Sequence, residues 1–242
     1  MEVTLLRDQV PSFEEYPYVL PAVRHLRTLK LHPAVTFIVG ENGTGKSTLL
    51  EAIAVALGLN PEGGSKNFNF STRSSHSDLH EHLRVSRSLR KVRDAYFLRA
   101  ESFYNVASSI DEMDKGPGGP PIITSYGGTS LHEQSHGESF FALFNNRLRG
   151  DGIYLLDEPE AALSPLRQMS LLLIMKGLVD EGSQFIVATH SPIILGYPDC
   201  LMYELDEEGL RKTTYKQTDH YLLTKDFLDD SDYMLKRLFE EE

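Results

Sequence analysis

Short apolar runs alternate along the chain with segments whose apolar positions recur at helical spacing. Val3–Leu6 and Thr28–Leu31 read as early strands, and Ala34–Val39 as a buried strand that stops at Gly40. From Lys46 to Gly58, residues Leu49, Leu50, Ile53, Ala56 and Leu57 fall on one helix face. A polar stretch, Asn60 to Ser77, reads as loop or short strands. Leu79–Arg93 reads as a helix and Ala95–Arg99 as another strand. Asp111–Ser130, which contains Gly116-Pro117-Gly118-Gly119-Pro120-Pro121, reads as a mobile loop. Beyond it come a helix over Glu138–Arg149, a strand over Gly152–Leu156, a helix over Pro165–Val179 and a strand over Gln184–Thr189. Leu201–Leu205 and Leu210–Tyr215 flank Asp206-Glu207-Glu208-Gly209 as a hairpin, and the tail from His220 is helical and acidic. Strands alternating with helices predict an α/β domain with a largely parallel sheet, here one domain over residues 1–242.

Composition narrows the field. With 40% hydrophobic and 24% charged residues, the chain is neither disordered nor collagen-like nor a coiled coil. Its longest apolar runs, Ile53–Leu57 and Leu171–Met175, are too short to span a bilayer, so no membrane insertion is expected. Glu2 follows Met1 directly, which is not how a secretion signal opens. One cysteine, Cys200, cannot form an internal disulfide, and a reducing cytoplasm is the expected compartment. The net charge of −11 argues against nucleic-acid binding through the overall field and leaves only a local patch. Arg84, Arg87, Arg90, Lys91 and Arg93 recur at helical spacing and would supply one, against the simpler reading of a solvated or salt-bridged face.

The first chemistry appears at Gly40-Glu41-Asn42-Gly43-Thr44-Gly45-Lys46-Ser47-Thr48, which matches G-x-x-x-x-G-K-[ST] between an apolar strand and a helix. Glycines let the backbone curl so that successive N–H groups point at phosphate oxygens, and the helix start adds its dipole. In such a loop Lys46 reaches the β- and γ-phosphates and Ser47 ligates Mg²⁺. Ile153-Tyr154-Leu155-Leu156-Asp157-Glu158 is an apolar strand ending in two carboxylates. Asp157 would hold Mg²⁺ beside the phosphate loop, and Glu158 would polarise an attacking water.

Taken together these segments resemble the ABC class of P-loop ATPases over nearly the whole chain. Asp157-Glu158-Pro159-Glu160-Ala161-Ala162-Leu163-Ser164-Pro165 resembles the Walker B element and D-loop of that class, with Ser164 where the D-loop usually carries Asp. Thr189-His190-Ser191-Pro192 resembles its switch-histidine loop, and Gln134-Ser135-His136-Gly137-Glu138 its signature. The wider run, with Phe97–Ser102 and Ser135–Ser139, is similar to a family of stand-alone bacterial ATPases, nearer the chromosome-maintenance and repair branch than transporters. The implied fold is a P-loop NTPase: an ABC-ATPase-like head with a mostly parallel central sheet, a small antiparallel β part and a reduced helical subdomain.

The resemblance also implies roles, with ATP and Mg²⁺ as the cofactors. Gly40, Asn42, Gly43, Thr44, Gly45, Lys46, Ser47 and Thr48 would bind the phosphates, and Ser47 and Asp157 the metal. Glu101, where the class carries Gln, would be a further metal contact. Glu158 would position water and His190 would sense the γ-phosphate. Ser135, Gly137 and Glu138 would act on the nucleotide of a second copy, which implies an ATP-dependent homodimer serving a protein partner the chain does not identify. The adenine-stacking aromatic would be Phe13, Tyr16 or Tyr18.

Other readings compete. A transporter ATP-binding subunit shares these motifs. His132-Glu133-Gln134-Ser135-His136 satisfies H-E-x-x-H, the pattern of zinc hydrolases, with Glu158 or Glu160 as third ligand, provided that both histidines share one continuous helix. His76, His80 and His82 form a second cluster, more simply read as solvated histidines.

Overall fold

The computed structural model describes residues 1–66, 77–87, 92–116 and 119–240. The strands are β1 (Glu2–Leu5), β2 (Thr28–Lys30), β3 (Val35–Gly40), β4 (Gly64–Ser65), β5 (Leu83–Ser86), β6 (Asp94–Arg99), β7 (Gly152–Asp157), β8 (Gln184–Ala188), β9 (Cys200–Asp206) and β10 (Gly209–Thr213). The helices are α1 (Pro21–Arg24), α2 (Lys46–Ala56), α3 (Phe103–Met113), α4 (His136–Ala142), α5 (Pro165–Asp180), α6 (Pro192–Leu195), α7 (Asp219–Asp229) and α8 (Ser231–Glu240). A seven-stranded sheet has the order β10-β9-β3-β8-β7-β6-β4, and a three-stranded one the order β2-β1-β5. In the larger sheet β9, β3, β8, β7 and β6 run parallel, with antiparallel β10 and β4 at the edges. The smaller sheet is wholly antiparallel.

Strands β3 and β7 are buried at every position because both faces of the sheet are covered. Val35, Phe37 and Val39 point to one side with Tyr154, Leu156, Phe185 and Val187, where α3, α4, α5 and α6 pack. Ile38, Ile153, Leu155 and Ile186 point to the other, against Leu49, Leu50 and Ile53 of α2 and the smaller sheet. Each such fully buried Leu, Ile or Phe contributes about 1.5–3 kcal/mol by leaving water. Because β3, β6, β7 and β8 are parallel and laterally adjacent, their carboxyl ends share one edge of the sheet, where open α/β folds bind ligands.

Three expectations change. The described part of Leu79–Arg93 is not a helix: a 3₁₀ turn at Asp78–His82 leads into β5, which pairs with β1. Leu83 and Val85 alternate with Arg84 and Ser86, a period-two pattern that a neighbouring strand can use. Of the basic residues expected on one helix face, Arg84 therefore lies on a strand and Arg87 outside any helix, and Arg90 and Lys91 lie outside the described residues. Arg93 pairs with Asp151 at 3.4 Å.

Nor is 111–130 a free loop. Helix α3 buries Phe103, Val106, Ala107 and Ile110 and continues to Met113. The Asp114 carboxylate then accepts N–H bonds from Ile122 and Ile123 at 2.6 and 3.0 Å, and Ser130 Oγ donates to Asp111 at 2.9 Å. Tyr126 is fully buried between these ties. Last, the helix expected over Glu138–Arg149 begins earlier, at His136, and ends in a π turn over Leu143–Arg147. That turn aims Arg147 at Asp94, which it grips with both guanidinium nitrogens at 2.9 and 3.1 Å. Among the described residues no helix is long and apolar enough to cross a membrane.

Candidate functional site

The phosphate loop leaves β3 at Gly40 and enters α2 at Lys46. Gly45 caps that helix at φ +99°, a left-handed conformation that a side chain would strain, and it packs on Leu20 and Ala22. Asn42 and Gly43 are exposed at the crown of the loop, Thr44 and Thr48 are half-buried, and Thr44 Oγ1 ties the loop by donating to the Glu41 carbonyl at 2.7 Å. Lys46 is only 4% exposed, and its Nζ donates to the carbonyls of Gly40 and Glu41 at 2.7 and 2.8 Å. Burial lowers its pKa, while Glu158, Asp157 and Glu41 oppose that shift. The ammonium is thus held inside the loop, its charge answered by four nearby carboxylates, those of Glu158, Asp157, Glu41 and Glu160.

Ser47 Oγ donates to Asp157 Oδ1 at 3.0 Å, bringing the first turn of α2 against the end of β7. Asp157 is 4% exposed, and burial pushes its carboxyl up to about 7 against the pull of the Ser47 hydroxyl and Arg99. This pair offers a hydroxyl and a carboxylate, the hard oxygen donors that Mg²⁺ takes. The next residue, Glu158, adopts a left-handed backbone (φ 51°, ψ 53°) while its N–H still donates to the Ala188 carbonyl at 2.9 Å. A non-glycine residue there costs on the order of 1–2 kcal/mol. That turn carries the Glu158 carboxylate out of the strand direction, and its Oε1 lies 3.6 Å from His190 Nε2.

His190 stands just past β8. Its N–H donates to Glu160 Oε1 at 2.6 Å, and its Nδ1 lies 2.8 Å from His220 Nε2 on α7. Burial first, and then Lys46 and His220, lower its pKa. Glu160 is itself raised by burial, and its Oε2 has no hydrogen-bond partner. The sequence offers Glu160 only as a third ligand for zinc, not as a partner of His190, and His220 does not stand out in it at all.

The remaining candidates lie at the rim. Glu101 is 82% exposed in its side chain and faces Arg99 at 3.5 Å, not the Ser47–Asp157 pair, while Arg99 is held by Glu51. Ser135 caps α4, and its N–H and Oγ both donate to Glu138 Oε2, at 3.0 and 2.6 Å. Those bonds hold the Glu138 carboxyl below its usual value. Ser135 and Glu138 are exposed, whereas Gly137 is buried beneath Arg167 and Ala162. The structure therefore gathers Lys46, Ser47, Asp157, Glu158 and His190 and leaves Ser135 and Glu138 of the signature exposed.

Among the three aromatics, Tyr18 is buried with its hydroxyl 2.9 Å from His82 Nδ1, and Phe13 lies under Arg7 at 4.2 Å. Tyr16 is 63% exposed. The H-E-x-x-H segment is not one helix: a 3₁₀ turn covers Leu131–Glu133, Gln134 and Ser135 are extended, and α4 begins at His136. Its histidines are engaged by Ser108 Oγ at 3.0 Å from His132 Nε2 and by the Tyr104 hydroxyl at 2.7 Å from His136 Nδ1. No group of His, Cys, Asp or Glu that could hold a metal ion occurs among the described residues, so the zinc reading is set aside. His76 lies outside the described residues.

The fold is that of ABC ATPase cassettes. A family model described as an AAA domain matches residues 19–117. A second, described as an AAA domain and candidate AbiEii toxin of a type IV toxin–antitoxin system, matches residues 124–196. A bacterial ABC transporter cassette solved as a dimer is 15% identical, with a TM-score of 0.50 over 90% of this chain and 100% of its own. An ABC transporter described as of the metal-chelate type, in an inward-facing conformation, is also 15% identical, with a TM-score of 0.50 over 92% of this chain and 86% of its own. A search of curated proteins gave no match. The two family models support ATPase-type nucleotide hydrolysis, and the solved structures the fold.

Proposed function

We propose that the 242 residues act as one cytosolic ATPase head that binds Mg·ATP at the carboxyl edge of the large sheet, hydrolyses it slowly and closes into a homodimer around it. The observation that carries this reading is the Ser47–Asp157 bond, which sets a metal-binding hydroxyl and carboxylate beside a buried Lys46. Lys46 would exchange its two carbonyl partners for phosphate oxygens, and the loop N–H groups at the start of α2 would hold the rest. Mg²⁺, held by Ser47 and Asp157, would neutralise charge on the β- and γ-phosphates. Glu158, turned out of the strand by its left-handed backbone, would accept a proton from the attacking water, with His190 facing it to contact the γ-phosphate.

Ser135, Gly137 and Glu138 supply the reason for a dimer. Ser135 and Glu138 sit at the exposed start of α4 and bond to one another, with Gly137 buried between them, so a partner's γ-phosphate is the group the two exposed side chains could reach. Tyr16, the exposed aromatic on the segment whose Leu20 and Ala22 pack on Gly45, would stack on adenine. Among the described residues between Glu101 and Ser135 the chain makes one ordinary helix, α3, and short 3₁₀ turns, which favours a stand-alone switch for a protein partner over a transporter subunit.

The test is the light-scattering mass of Glu158→Gln with and without Mg·ATP, beside Lys46→Ala. An ATP-dependent doubling of mass, lost in Lys46→Ala, is expected. A monomer that binds ATP without associating would remove the shared-site dimer, and absence of ATP binding would remove the whole reading.

A further inference from the structure

His190 is held from behind by a second imidazole. The rings of His190 and His220 lie 5.0 Å apart at an interplanar angle of 49°, with His220 Nε2 2.8 Å from His190 Nδ1. On the far side of the ring, His190 Nε2 faces Glu158 Oε1 at 3.6 Å and makes no hydrogen bond. His190 is depressed by burial, so it is neutral at pH 7, and a neutral imidazole has one N–H donor and one bare acceptor.

Two arrangements satisfy the bond between the rings. In one, His190 Nδ1–H donates to His220. The His190 Nε2 lone pair then faces a carboxylate, and the His220 proton sits on Nδ1, which is buried without a partner. In the other, His220 Nε2–H donates to His190 Nδ1, and the His190 proton is placed at Nε2, toward Glu158. The second removes the mismatch at His190 and leaves at His220 Nδ1 an empty acceptor in place of an unpaired N–H, and it presents a donor where a γ-phosphate would arrive.

The start of α7 is built to hold that geometry. Thr218 is fully buried; its Oγ1 donates to the Tyr215 carbonyl at 2.8 Å and accepts the Tyr221 N–H at 3.3 Å. The Asp219 N–H donates to Glu204 Oε1 at 3.1 Å, which pins the helix to β9 of the central sheet. Tyr215 and Tyr221 pack edge to face at 4.7 Å. His220 therefore stands on an anchored turn, although most of α7 and α8 beyond it is exposed.

We propose that His220 is a positioning residue for His190: it donates through Nε2–H, fixes the His190 proton on Nε2 and aims it at the γ-phosphate. This rests on the ATPase reading above. It also makes the C-terminal helices part of the catalytic apparatus, since movement of α7 would withdraw the donor.

The test uses the full chain. His220→Phe keeps an aromatic ring and removes the donor; His220→Gln keeps an N–H at similar reach. His220→Phe is expected to lower kcat roughly 10- to 100-fold, the scale on which an orienting partner acts on a histidine. ATP affinity should stay within about twofold, because the lost contact belongs to the chemical step. His220→Gln is expected to recover most of kcat. Two-bond ¹H–¹⁵N spectra of the nucleotide-free chain should place the His190 proton on Nε2 in the wild type and on a mixture of nitrogens in His220→Phe. Unchanged kcat in His220→Phe, or a wild-type spectrum with His190 protonated at Nδ1, would overturn the proposal. If the wild type hydrolyses no ATP, the ATPase reading fails, and the spectra still decide the His220–His190 assignment.

Discussion

Ser47 and Asp157, 110 positions apart, meet at 3.0 Å where the phosphate-loop helix begins and β7 ends. The contact joins two halves of a site that share no local structure. It exists because β8 fills the place between β3 and β7 in the sheet, so both strands end at one level. The consequences can be measured one residue at a time.

Lys46→Ala removes an ammonium that now satisfies two loop carbonyls, those of Gly40 and Glu41. Charge-assisted bonds of this kind are worth about 1.5–3 kcal/mol each, so ATP affinity should fall by roughly tenfold to a few hundredfold. Titration with a fluorescent ATP analogue checks this. Retained affinity would mean that the loop amides alone hold the nucleotide.

Asp157 makes the site sensitive to pH. Its carboxyl is raised by burial from 3.8 to about 7, so the fold binds that proton more tightly than the unfolded chain does. Its contribution to stability is therefore complete below the unfolded value and is lost as pH rises through about 7. Between about pH 4 and pH 7 the nucleotide-free wild type should lose thermal stability relative to Asp157→Asn. Mg²⁺ needs the ionised carboxylate, so Mg²⁺-dependent ATP affinity should strengthen over the same range. Thermal unfolding of the two proteins across pH gives the answer, and parallel curves would contradict it.

Gly137→Ala tests the start of α4. A Cβ there would fall within 3.0 Å of both the Arg167 guanidinium and the Ala162 carbonyl, and the second is backbone that cannot swing aside. A loss of about 1–3 kcal/mol is expected on chemical denaturation, together with weaker ATP-dependent association. Wild-type values of both would show that the helix start has slack.

Tyr16→Ala removes a ring that is 63% exposed and does not support the core. Stability should change by less than about 0.5 kcal/mol, while KM for ATP rises several-fold as stacking worth about 1–3 kcal/mol disappears. An unchanged KM would point adenine elsewhere.

Much of this was legible before any coordinates. The phosphate loop announces itself because its backbone demands glycine, and β7 because a strand buried on both faces leaves a continuous apolar run ending in Asp157. Segment 79–93 misled because arginines at helical spacing mimic a helix face, whereas Leu83 and Val85 alternate over too few residues to stand out. The 111–130 stretch misled because its glycines and prolines masked the work of Asp114, whose carboxylate ties two later amides back to α3. His220 was invisible for a different reason. Its meaning lies wholly in a ring 30 positions away that the sheet brings to it.

The place of β3 in the sheet has a consequence for how the protein comes into being. Both of its neighbours, β8 and β9, lie far later in the chain, at 184–188 and 200–206. A ribosome that has just finished the phosphate loop has made a glycine-rich turn with no sheet to brace it. The chain must emerge past residue 206 before β3 can be flanked on both sides, so nucleotide capture should wait for β9, and a chain stalled before residue 200 should be blind to ATP.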